Sequence, residues 1–126
     1  MNTPAFISFM NYLEISHLTD GYKLQMVQWE EQPDDKGTMK YMVFQPNGGS
    51  GRVYDIGADD TVMLTLVSAK KDALPVIERS QEILDYVTEH PIDPCLNSVF
   101  NLGGIPSPIP TQAGRVVVRL LFRCTA

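Results

Sequence analysis

Apolar residues near the start of the chain fall at helical spacing. Phe6, Phe9, Met10 and Leu13 lie at i, i+3, i+4 and i+7, with Thr3 placed to cap a helix and Pro4 in its first turn. Asp20 and Gly21 break that pattern. From Tyr22 to Trp29 the residues Leu24, Met26 and Gln28 alternate with Gln25, Val27 and Trp29, which predicts a strand. Glu30 to Gly37 is polar, with Pro33, Asp34, Asp35 and Gly37, and reads as an exposed hairpin loop. A second strand is expected from about Met39 to Gln45. The turn formers Pro46, Asn47, Gly48, Gly49, Ser50 and Gly51 then predict irregular backbone, and Val53, Tyr54 and Ile56 a short extended piece.

Thr61 to Ser68 is almost wholly Val, Met, Leu and Thr, the composition of a central strand with both faces covered. A second helix should follow, with Asp72 as its cap, Pro75 in its first turn and Pro91 stopping it after His90. Ile77, Ser80, Leu84 and Val87 give its apolar stripe, flanked by Val76 and Ile83. Glu78, Arg79, Glu82, Asp85 and Glu89 cover the other side, so the stripe belongs on a sheet. Ile92 to Leu96 is irregular and Ser98 to Leu102 suits a short strand. Gly103 to Gly114, with Pro106, Pro108 and Pro110, suits a stiff extended loop. Arg115 to Cys124 is a long strand: Val116, Val118, Leu120 and Phe122 face one way, and Val117, Arg119, Leu121 and Arg123 the other. Two helices with a mixed, mostly antiparallel sheet of about five strands make an α+β fold.

At 126 residues the chain fits one domain, expected to span 1–126. Ten basic and fifteen acidic residues give a net charge of −5, which argues against a duplex-binding surface and direct nucleic-acid readout. The start carries neither a basic segment nor a long apolar run, and no stretch is long and apolar enough to span a bilayer. The expectation is an intracellular chain without a membrane partner. Cys95 and Cys124 form no CxxC pair, and His17 and His90 are not spaced to join them around zinc, so reduced, partly buried thiols are expected.

No motif supplies catalysis. The glycine run 47–51 lacks the GxxxxGK pattern of a phosphate loop, and Asp55, Asp59 and Asp60 lack the spacing of a calcium loop. His90 lies close to Cys95 in sequence, which does not make a dyad. The chain is therefore expected to be no enzyme and to hold no cofactor or metal. Arg115, Arg119 and Arg123 are more informative, because at i, i+4 and i+8 on a strand they project from one face among Val117 and Leu121. Such a face is either half-exposed surface or a subunit interface, where arginine is enriched beside apolar residues.

Five phrases, in order along residues 41 to 124, resemble the tail-terminator proteins of lambda-like long-tailed bacteriophages and prophages. They are YMVFQPNGG (41–49), VSAK (67–70), ILDYV (83–87), NLGGIPSP (101–108) and GRVVVRLLFRC (114–124). Residues up to Gly37 match less well. The resemblance implies a small α+β subunit of a six-fold ring that caps the tail tube, stops its polymerisation and offers a surface to the head connector. Its partners would then be further copies of itself, the tail-tube protein and a head–tail connector. Its places would be the bacterial host cytoplasm during assembly and then the virion tail. A free subunit could still be monomeric. The expected interface is Arg115, Val117, Arg119, Leu121 and Arg123, with Asn47, Gly48 and Gly49. Asp59 and Asp60, or Glu78 and Glu82, are the candidate opposing charges. A small ligand-binding or regulatory α+β module, taking an anion at the glycine loop, is the alternative.

Overall fold

In a computed structural model, residues 5–30, 32–34, 36–49, 59–92, 98–111 and 114–125 are described. In chain order they form α1 (Ala5–Ile15), β1 (Lys23–Met26), β2 (Tyr41–Gly49), β3 (Asp59–Val67), α2 (Leu74–Glu89), β4 (Ser98–Leu102), β5 (Ile109–Pro110) and β6 (Val116–Thr125). The strands make one mixed sheet of order β1-β2-β3-β6-β4, with β5 pairing the opposite end of β6. This is the α+β architecture the pattern predicts, with an added two-residue strand in the proline-rich segment.

Both helices lie on one face of the sheet. Alternation in the strands delivers Met42, Phe44, Val62, Leu64, Leu66, Val118, Leu120, Phe122 and Cys124 to that face, all essentially inaccessible. α1 buries Ala5, Ser8, Phe9, Tyr12 and Leu13, and the Phe9 ring lies 4.5 Å from Phe122 and 6.0 Å from Phe44. Its stripe is rotated from the expected one: Tyr12 is core, and Phe6 and Met10 flank it. Tyr12 tolerates burial because its hydroxyl donates to the His90 carbonyl at 2.6 Å. α1 ends as a Schellman turn, with His17 at φ 64 and Leu18 N–H on Leu13 O at 3.1 Å. Thr3 and Pro4 lie outside the described residues.

α2 contacts β3, β4 and β6. It buries Val76, Ser80, Ile83 and Val87, so Ile83 and Val76 hold the centre of the stripe and Ile77 and Leu84 are half-buried shoulders. Ser80 is accommodated because its hydroxyl donates to Val76 O at 2.8 Å. The cap position is Ala73, not Asp72, and makes no side-chain capping bond. Asp72 is instead held in a bridge with Ala69 across the preceding turn.

Three expectations about the sheet are corrected. First, β1 stops at Met26, because Val27 sits at φ 72 and Gln28 N–H bonds Met26 O at 2.8 Å, a γ-turn that reverses the chain. Second, β1 and β2 are parallel, with Lys23 opposite Tyr41 and Met26 opposite Phe44, so residues 27–40 form a return crossover and no hairpin. Parallel pairing needs about a dozen residues or more to carry the chain back, and polar composition does not reveal which way a loop travels. Third, Pro46 to Gly49 is strand. Pro46 pairs with Val62 and Gly49 with Asp60, so one extra residue is absorbed as a bulge. β1 reaches only to Phe44, so Pro46 lies where β2 is an edge strand, the position proline tolerates. Val53, Tyr54, Ile56, Asp55 and Cys95 lie outside the described residues.

Candidate subunit interface

The face of the sheet turned away from the helices carries the arginines. On β6, Val117 and Leu121 are half-buried there and Arg119 and Arg123 are exposed, while their neighbours Val118, Leu120 and Phe122 are fully buried beneath the helices. Register adds two residues the sequence reading did not select. Phe100 on β4 lies opposite Arg123, and Leu102 opposite Leu121, so both join this face, 53% and 40% exposed. The alternation of Ser98 to Leu102 puts Phe100 and Leu102 on one side, but only the pairing with β6 says which side.

Arg115 departs from the expected row. It precedes β6, is fully buried, and donates through one guanidinium nitrogen to Met39 O at 2.8 Å and Ser68 O at 2.9 Å. Its guanidinium carbon lies 5.5 Å from the Tyr41 ring centre and 6.0 Å from that of Trp29. The returning crossover covers this end of the face and turns a surface position into core. A desolvated cation there requires such acceptors. Arg115 therefore braces this face from within and is not part of its exposed surface.

The same crossover shapes a hollow of about 380 Å³ beside Arg119, lined by Trp29, Gln45, Met63, Thr65 and Val117 among others. The crossover itself is held by several contacts. The Gln25 side chain donates to Glu30 O at 2.6 Å and accepts from Glu30 N–H at 2.9 Å, and Gln32 N–H donates to the Tyr41 hydroxyl at 3.0 Å. Gly37, at φ 93, passes so close to Lys70 that an added Cβ would stand 2.9 Å from its Cδ. Val27, a β-branched residue at positive φ, lines the hollow; such strain persists only where its surroundings enforce it.

Asn47, Gly48 and Gly49 are at the opposite end of the sheet from Arg115. There Gly49 pairs with Asp60, which pairs with Cys124 next to Arg123. The structure thus brings the glycine end of β2 and the Arg123 end of β6 to one edge, two strands apart. Asp59 and Asp60 share that edge by register. Glu78 and Glu82 are elsewhere, exposed on the outer side of α2. Among the described residues no group of His, Cys, Asp or Glu could hold a metal ion, and no helix is long and apolar enough to cross a membrane.

A family model described as phage tail termination protein matches residues 2–126. The chain belongs to that family. Tail-termination proteins are structural components of phage tails, so this chain is a phage tail protein and interacts with other tail or head components. No curated protein matches the chain. One solved chain is similar over 94% of this chain and 91% of its own, at 14% identity and a TM-score of 0.49.

Proposed function

We propose that the chain assembles as a homohexameric ring that caps the tail tube, ends tube polymerisation and presents the head-joining surface. On this reading it is a single domain over 1–126 and not an enzyme. Its partners are its own copies, the tail-tube protein and the head–tail connector, and it works in the host cytoplasm before becoming part of the virion. The observation that carries the reading is the uncovered sheet face. Phe100, Leu102, Leu121 and Val117 lie there beside Arg119 and Arg123, and among the described residues no helix covers them. Apolar area mixed with arginine is the composition of an interface core. Arg115, Asn47, Gly48 and Gly49 frame the two ends of this face. Family membership supplies the tail setting.

The test is Arg119→Glu, with Arg123→Glu beside it. Arg119→Glu should keep the melting temperature and abolish rings in analytical ultracentrifugation, with a smaller effect at Arg123. It should also leave tail-tube protein polymerising unchecked when added to growing tubes. A well-folded variant that still forms rings and still stops tube growth would show this face to be ordinary solvated surface.

A further inference from the structure

Resting on the ring reading, we infer that the surface received by the arginine face is the outer side of α2 on the next copy. The buried residues of α2 fix its orientation: Val76, Ser80, Ile83 and Val87 point to the sheet, so the exposed side points away from the molecule. That side carries Glu78, Glu82, Asp85 and Glu89, all exposed, with Leu74 at its start 62% exposed. The carboxylates form a ridge about 16 Å long from Glu78 to Glu89. Glu82 is engaged by Arg79 at 3.6 Å, and the Asp85 carboxylate accepts from Gln81 at 2.9 Å. The helix's one basic residue, Arg79, also donates to the carbonyls of Leu18 and Asp20 at 2.7 and 3.0 Å, so of the ridge carboxylates it pairs with Glu82 alone.

The receiving face matches in charge, length and apolar content. Arg119 and Arg123 are four residues apart on β6, about 13 Å, and Phe100, Leu102 and Leu121 offer apolar area to Leu74. The two surfaces lie on opposite sides of one subunit, because the helices cover one face of the sheet and the arginines the other. They cannot meet within one chain, and a contact between two different patches is what propagates a head-to-tail ring. Pairing two arginine faces would instead set like charges against each other, which is unfavourable.

The experiment uses two reversed variants of the full chain. Arg119→Glu/Arg123→Glu disables the sheet face and keeps the helix face. Glu78→Lys/Asp85→Lys disables the helix face and keeps the sheet face, and it leaves the Arg79–Glu82 pair in place. Circular dichroism melts first show that each variant is folded; single-residue versions replace any that is not. Each variant alone should be monomeric by sedimentation, because each has one dead surface. Mixed one to one, they should form rings in which the two variants alternate, since the unaltered surfaces pair with each other and the two reversed surfaces are again complementary in charge. Combining both reversals in one chain should restore rings. Wild-type rings that survive the α2 variant would overturn this contact and leave the ring reading standing. A wild-type chain that stays monomeric alone and on tail-tube ends would overturn the ring reading and this contact together.

Discussion

The two faces of the sheet obey different rules although they are built from the same strands. Under the helices, positions such as Leu64, Leu120 and Phe122 are inaccessible and packed by aromatic rings from α1. On the other face the alternate positions of the same strands run from fully buried at Tyr41 and Val67, beneath the crossover, to exposed at Arg119 and Arg123. One face is closed within the chain. Among the described residues the other is closed at one end, by the crossover between β1 and β2 that accepts from Arg115, and exposed at Arg119 and Arg123. A face that mixes half-buried Val117 and Leu121 with exposed Phe100 leaves apolar area at the surface, the kind of patch on which the proposed ring contact rests.

The contrast can be broken hardest on the closed face. Ile83→Ala removes a fully buried side chain and should cost about 2–5 kcal/mol in urea unfolding, while Leu84→Ala, on the half-buried shoulder, should cost clearly less. A larger loss at Leu84 than at Ile83 would mean the helix stripe is centred as the sequence pattern has it and not as the fold does. Next comes the closed end of the open face. Arg115→Met keeps volume but leaves the Met39 and Ser68 carbonyls without their donor, and should cost about 2–4 kcal/mol. It should also raise hydrogen exchange across 27–40. Unchanged exchange there would show that the crossover does not depend on Arg115. At the open end the effect on the free subunit should nearly vanish: Arg119→Glu should shift stability by less than about 0.5 kcal/mol while abolishing rings.

The smallest effect lies at the joint between α2 and the α1–β1 turn. Burial pushes the Tyr22 hydroxyl up to about 12, against an opposing pull from Arg79. A raised folded-state value means the contribution is fully present below the unfolded value of about 10 and is lost as pH climbs from about 10 to 12. Tyr22→Phe should therefore flatten part of the alkaline loss of stability in that window. Identical alkaline melts for both proteins would place that loss on other groups.

Much of the closed face was legible in the sequence, because burial under helices imposes strict periods. The β3 and β6 strands, the second helix and the strand at 98–102 all follow from alternation or the 3.6-residue repeat. The shifts within them have local causes. Tyr12 and Ser80 are polar by composition and core by hydrogen bonding, so a reading that counts only apolar side chains turns both helices slightly. The open face was harder to read. That Arg119 and Arg123 point outward is a matter of period two, but that Arg115 does not depends on a crossover whose direction no local pattern encodes. Phe100 and Leu102 joined the face only through register with Arg123 and Leu121, a long-range fact. The glycine run looked irregular because proline and glycine are poor strand residues, and the bulge at an unpaired edge is what admits them.

That edge also decides what kind of polymer the chain avoids. Beyond Phe44 no strand among the described residues pairs the outer side of β2, and an open edge invites unlimited strand-by-strand stacking into fibrils. Pro46 brings no amide hydrogen to such a ladder, and the bulge that follows bends the backbone out of register with any incoming strand. Growth by the edge would be endless, whereas growth by the faces can return on itself and stop.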